Sequence, residues 1–91
     1  MNIKIDYDSK IPIYMQIANR MKQLIFSGEL VTGSTLPSER ATAKLLNVHR
    51  NTIAKAYNEL KAEELIGSKQ GIGYIVPLPQ TKDGVPTRSE K

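Results

Sequence analysis

The chain has 91 residues, 40% of them hydrophobic, and a net charge of +4, which sets one domain at most, burying on the order of 60% of its unfolded surface. The absence of cysteine excludes disulfides and thiolate metal sites, and a single histidine, His49, excludes a histidine-rich metal centre. The opening MNIKIDYDSK has no apolar run long enough for a signal peptide or a membrane span, so a cytoplasmic setting and no membrane partner are expected.

Ile3, Ile5 and Tyr7 alternate with Lys4 and Asp6, so residues 1–9 read as an arm, either docked or forming a short strand. Pro12 suits a helix start, where its missing N–H is not needed. Tyr14, Ile17, Ala18, Met21, Leu24 and Ile25 then recur at spacings of three and four, which predicts an amphipathic helix over 12–27. Gly28 closes it as a left-handed cap. Residues 29–37, ELVTGSTLP, read as a loop punctuated by Gly33 and Pro37.

Ser38 is an N-cap for a second helix over 38–46, whose buried side is expected at Ala41, Leu45 and Leu46. Asn47–Val48 is a tight connection, with Asn47 able to take the left-handed conformation. A third helix is expected over 49–63. Its apolar stripe is Ile53, Ala56, Tyr57 and Leu60; its opposite face carries Asn51, Lys55 and Asn58, with Ala54 beside them and Arg50 at the flank. Two β-prone runs near 65–69 and 73–76 flank Gln70-Gly71-Ile72 and predict a hairpin, stopped by Pro77 and Pro79. Residues 79–91, ending QTKDGVPTRSEK, have no periodicity and read as a disordered tail or linker.

The order helix, helix, turn, helix, hairpin is a mainly α fold with a small β-hairpin: a winged helix-turn-helix over 10–78, with the helix-turn-helix at about 38–57 and the wing at about 65–76. In that arrangement the second helix of the pair enters the major groove. Between 38 and 61 there are five basic side chains (Arg40, Lys44, Arg50, Lys55, Lys61) against two acidic ones (Glu39, Glu59), so positive charge is concentrated on the expected reading head. Tyr57 and Tyr74 read as packing residues, His49 as a surface or capping residue, and Lys61, Glu63 and Glu64 as solvated. Glu39 has two readings: a helix N-terminal charge favoured by the dipole, or a group that orients Arg50. No carboxylate pair, nucleophile–base pattern or phosphate-binding glycine loop is present, and Gly71-x-Gly73 is too short for one; neither catalysis nor a cofactor is expected.

The segments Pro12-Ile13-Tyr14-Met15-Gln16-Ile17, Gly28-Glu29-Leu30, Leu36-Pro37-Ser38-Glu39-Arg40, Val48-His49-Arg50-Asn51-Thr52, Ala56-Tyr57-Asn58-Glu59-Leu60 and Gly71-Ile72-Gly73-Tyr74-Ile75-Val76 resemble the DNA-binding domain of GntR-family bacterial regulators over about residues 10–77. The R-N-T and A-Y pattern leans toward the YtrA-like or the MocR-like branch. The resemblance implies a repressor that reads a pseudo-palindromic double-stranded operator. Arg40 would contact the operator backbone or a guanine. His49, Arg50, Asn51 and Thr52 would enter the groove, with Arg50 bidentate on guanine O6 and N7. Thr52 and Ser38 would anchor phosphates, Lys55 and Lys69 would add charge, and Gln70 and Gly71 at the wing tip would reach the minor groove.

Two positions depart from the family pattern. His49 stands where serine or threonine is common, and Glu64 where glycine is usual; a left-handed glutamate costs about 1 kcal/mol, so a differently shaped helix end is expected. Two other functions compete: a winged helix used for protein–protein contact, which needs no polar face with Arg50 and Asn51, and the N-terminal part of a larger regulator fused to an aminotransferase-like domain, whose pyridoxal phosphate would lie outside these residues. A homodimer is expected on DNA, weak or absent in the free chain, with Ile3, Ile5 and Tyr7 as the alternative contact surface.

Overall fold

In the computed structural model, which describes residues 3–77, three helices precede a two-stranded antiparallel sheet: α1 (Ile13–Ser27), α2 (Glu39–Leu46), α3 (Arg50–Ala62), β1 (Gly67–Lys69) and β2 (Gly73–Ile75). The expected tail over 79–91 lies outside the described residues. Pro12 is the N-cap residue of α1, and its carbonyl accepts from the amides of Met15 and Gln16. Ile17, Ala18, Met21 and Leu24 form the buried face of α1. Ile17 and Met21 are fully buried, and each side chain withdrawn from water in this way contributes about 1.5–3 kcal/mol.

The arm is docked and forms no strand among the described residues. Ile3 joins the core, and Gln16 staples the chain above it: its carboxamide oxygen accepts from the Asp6 amide, while its nitrogen donates to the carbonyls of Asp6 and Ile11 at 3.0 and 2.8 Å. With Ile3 committed to its own domain, the alternating residues leave Tyr7 as the exposed member of the trio.

The buried face of α2 differs from the expected one. Thr42 and Ala43 are buried, Leu46 is half-buried, and Ala41 and Leu45 face solvent. At 100° per residue Thr42, Ala43 and Leu46 share one face and Ala41 and Leu45 another. Hydrophobicity alone favours leucine over threonine in a core; here the threonine hydroxyl has a buried partner. The Thr42 hydroxyl lies 2.7 Å from the Tyr57 hydroxyl, which donates to the Pro37 carbonyl at 2.9 Å. Because Tyr57 spends its only proton on Pro37, Thr42 is the donor in the pair.

The stripe Ile53, Ala56, Tyr57 and Leu60 is buried as its spacing predicts, and it packs α3 against both α1 and α2. The turn before it closes on Asn47, left-handed at φ 56. The Asn47 amide donates to Lys44 and the Val48 amide to Ala43, a Schellman pairing that satisfies the last carbonyls of α2. The end of α3 repeats this device. Glu64 is left-handed at φ 60, its amide donates to Lys61, and that of Leu65 donates to Leu60. The helix end thus has the shape a glycine would give it, contrary to expectation. Two backbone hydrogen bonds and the burial of Ile66 just beyond offset the left-handed penalty of about 1 kcal/mol.

The hairpin pairs Gly67 with Ile75, Ser68 with Tyr74 and Lys69 with Gly73. Gly71 and Gly73 take φ 83 and 104, a region open to glycine at no steric cost. The segment before α2, which the sequence reads as a loop, also joins this sheet. Thr35 bridges Ile75, the Leu36 amide donates to the Tyr74 carbonyl at 2.8 Å, and the Val76 amide donates to Ser34 at 2.9 Å. A single bridge between Gly33 and Pro37 is too short to leave an alternating pattern in the sequence.

Removal of the buried hydroxyl tests the link between α2 and α3. Tyr57→Phe leaves the Thr42 hydroxyl and the Pro37 carbonyl without their partner, so unfolding free energy should fall by about 1–3 kcal/mol. The check is the urea midpoint, with the slope unchanged.

Candidate nucleic-acid interface

The surface that carries the sequence-predicted residues is built from the start of α2, the start of α3 and the hairpin. Ser38 caps α2, its hydroxyl oxygen accepting from the Ala41 amide at 3.1 Å, which leaves its proton free to donate outward. His49 occupies the N-cap position of α3 in extended conformation, but its imidazole makes no capping bond. The Thr52 amide donates to the His49 carbonyl at 3.0 Å, while the amides of Arg50 and Asn51 keep their donors at the positive end of the helix dipole, a place that favours an anion such as phosphate. Ser38, Arg40, His49, Arg50, Asn51, Lys55, Lys69, Gln70 and Gly71 are exposed, and Thr52 is half-buried.

The structure brings three of these residues together. Ser38, Arg40 and Arg50 line an open cleft of about 420 Å³ that also contains Glu39 and Tyr74. A second open groove, of about 540 Å³, runs along α2 past Arg40, Ala41, Lys44, Asn47 and Val48. The other predicted residues lie elsewhere. Lys55 turns toward α1, its ammonium 5.9 Å from the centre of the Tyr14 ring. Lys69 ends β1, and the turn that follows carries Gln70 and Gly71.

Two residues of the cleft have more definite roles than the sequence assigns them. Glu39 is not only a dipole charge: its Oε1 lies 3.7 Å from Arg50 Nε, and its Oε2 accepts from the Tyr74 hydroxyl at 2.7 Å. Tyr74 packs edge-on against Tyr57, with centroids 4.7 Å apart and the planes at 74°, yet its hydroxyl serves the cleft. The readable signal was the alternation along β2, which puts Tyr74 on the opposite face from Gly73 and Ile75. Lys61 and Glu63 are also less solitary than expected. Lys61 sits 5.7 Å from the Tyr74 ring centre, and Glu63 pairs with Lys22 at 2.6 Å, a partly exposed bridge of small net value.

The Tyr74 phenol is pushed up to about 12, first by the hydrogen bond it donates to Glu39 and then by burial and the carboxylate charge. Burial also raises Tyr57, with the Thr42 hydrogen bond working against it and the Glu39 charge adding to it. Among the described residues no cluster of histidine and acidic side chains could hold a metal ion, and no helix is long and apolar enough to cross a membrane.

Residues 13–76 match the family model for bacterial regulatory proteins of the gntR family. The chain is 42% identical over 74 residues to the HTH-type transcriptional repressor YtrA of Bacillus subtilis, covering 81% of this chain and 57% of that protein; it thus spans little more than half of that relative's length. Among solved structures it resembles YtrA from Sulfolobus acidocaldarius, a GntR-family transcription factor, with TM-score 0.80, 43% identity and coverage of 91% of this chain and 87% of that one. It also resembles AraR(DBD) in complex with operator ORX1, with TM-score 0.72, 25% identity and coverage of 84% and 98%.

The hydrogen bond to Glu39 can be read by titration. A phenol raised in the folded state contributes stability that is complete below the unfolded value near 10 and is lost as pH rises toward about 12. Phenolate absorbance of wild type minus Tyr74→Phe should show this group titrating near 12, and Glu39→Gln should lower it toward the ordinary tyrosine value of about 10.

Proposed function

The chain belongs to the gntR family of bacterial regulatory proteins, and from that premise we propose that it is the DNA-binding module of a transcriptional repressor acting in the cytoplasm on a pseudo-palindromic double-stranded operator. The observation that carries the reading is the cleft in which Arg50, at the first turn of α3, stands beside Arg40 and Ser38. A guanidinium at the head of a helix with an exposed polar face is what major-groove reading of a guanine requires. AraR(DBD), of similar fold, is in complex with an operator, which supports operator binding for this chain. A winged helix used only for protein contact would have no need of Arg50 and Asn51 exposed beside the free amides of α3.

The roles divide by chemistry. Arg50 reads guanine O6 and N7, and Asn51 and Asn58 lie on the exposed face of α3 beside it. Ser38, Arg40 and Thr52 hold phosphates and set the register, and Lys44 extends the positive groove along α2. Lys69, Gln70 and Gly71 bring the wing to the minor groove. Lys55, drawn toward Tyr14, adds field more than contact.

Selection of bound sequences from random duplex DNA gives the operator, against which two variants separate base from phosphate contacts. Arg50→Ala should weaken specific binding by about 1–3 kcal/mol and relax the preference at one guanine. Arg40→Ala should weaken all sequences alike and flatten the slope of log affinity against log salt by about 0.9 for one phosphate contact. Equal losses for Arg50→Ala on specific and random duplex would assign Arg50 to the backbone.

One module covers a single half-site and buries about 600–1,000 Å², too little for operator-level specificity, so two copies bind on DNA. The free chain is monomeric or weakly dimeric, since Ile3 is spent on its own core. Sedimentation at micromolar concentration should give the monomer, with a two-to-one complex once operator is added; a tight dimer without DNA would contradict this.

A further inference from the structure

We propose that Tyr74 and Glu39 form a positioning pair that sets the orientation of Arg50, so that the wing strand governs base discrimination by the recognition helix without touching a base. The inference rests on the DNA-reading role of Arg50 given above and adds two residues to it. Three elements meet at one carboxylate: Glu39 begins α2, Tyr74 lies in β2 and Arg50 begins α3. The two carboxylate oxygens are divided between the partners, Oε2 accepting from the Tyr74 hydroxyl at 2.7 Å and Oε1 standing 3.7 Å from Arg50 Nε.

Rigidity falls along this chain of contacts. Tyr74 is held by the edge contact to buried Tyr57, by Lys61 over its ring and by the Leu36 amide on its carbonyl. The Glu39 side chain is 21% exposed and that of Arg50 60%. The constraint therefore passes from the sheet through the carboxylate to the exposed guanidinium. An arginine side chain has many rotamers to lose on binding, and one held in advance loses fewer.

The edge that is held matters as much as the holding. A guanidinium paired through Nε presents its terminal pair, Nη1 and Nη2, outward, and that fork matches guanine O6 and N7. Free to rotate, the same side chain would serve a phosphate equally well. Glu39 also works against nonspecific binding, because a carboxylate facing a polyanion is repelled unless the guanidinium beside it is correctly placed. Without the Tyr74 hydroxyl the carboxylate loses its fixed anchor and Arg50 its reference.

The test uses the whole chain as wild type, Tyr74→Phe, Glu39→Gln, Arg50→Ala and the Tyr74→Phe/Arg50→Ala double variant. Each is measured on the selected operator, on the operator with the Arg50 guanine replaced, and on random duplex. Tyr74→Phe keeps the ring against Tyr57 and should lower operator affinity by about 3- to 10-fold, the worth of one hydrogen bond. Binding to random duplex should change less than about twofold, and discrimination at the guanine should shrink by the same factor. In the Arg50→Ala background the Tyr74→Phe effect should vanish, which a wing that had merely shifted would not produce. Glu39→Gln should lose the same discrimination while binding random duplex more tightly. Unchanged operator affinity and base preference in Tyr74→Phe and Glu39→Gln, or a Tyr74→Phe loss that persists without Arg50, overturns the positioning role alone. A wild-type chain that enriches no sequence at all overturns the DNA reading and this inference together.

Discussion

The hydroxyl of Tyr57 joins three parts of the chain that function must keep in register. It donates to the Pro37 carbonyl and accepts from Thr42, with the ring fully buried between α2 and α3. A hydroxyl left unpaired at that depth would cost about 1–3 kcal/mol, so the angle between the two helices is limited to arrangements that keep both partners in reach. The same ring supplies the surface on which Tyr74 rests. The helix pair and the hairpin are thereby referred to one side chain, and the cleft with Arg50 inherits its geometry from that point. In a domain whose total stability is a small difference between large terms, such a polar anchor selects one packing among several that hydrophobic burial alone would tolerate.

What was legible in the sequence was whatever recurs. The faces of α1 and α3 follow from spacings of three and four, and the positions of Gly28, Asn47 and Ser38 follow from backbone chemistry that few residues satisfy. What was not legible depends on a partner distant in the chain. Thr42 belongs in the core because Tyr57 lies fifteen residues on, so ranking by hydrophobicity chose Leu45 in its place. Residues 34–36 are strand-like because Tyr74 and Val76 pair with them, and an isolated bridge has no period. Glu64 accepts a left-handed backbone because Lys61 receives its own amide and Leu60 that of Leu65; local propensity, which disfavours a left-handed glutamate, was overridden by tertiary packing.

The cleft shows the same division. Arg40 and Arg50 were accessible as basic residues near two helix starts, since charge and a capping serine are local signals. The pairing of Arg50 with Glu39 had a local rationale too, but an equal one existed in the helix dipole, and nothing in the sequence separates them. Tyr74 lies 35 residues from Glu39, and an aromatic in a β-prone run is by default a packing residue. Only the fold shows that it packs with its ring and bonds with its hydroxyl. Lys55 is exposed, where a helical wheel puts it, and only the fold shows that α1 brings Tyr14 within reach of its ammonium.

The distribution of charge then separates affinity from information. Arg40 and Lys44 on the α2 grooves, with the free amides of α3, can hold a phosphate backbone of any sequence. Such contacts raise specific and nonspecific binding together and so leave their ratio unchanged. Arg50 differs in having a carboxylate beside it, 3.7 Å from its Nε. Taken alone, that carboxylate weakens attraction to DNA, and a surface built only for affinity would do better without it. Its presence beside the one arginine at the head of α3 is what the proposed positioning role calls for: some general attraction is given up, and the guanidinium would be restricted to the orientation in which a guanine, and not a phosphate, is its best partner.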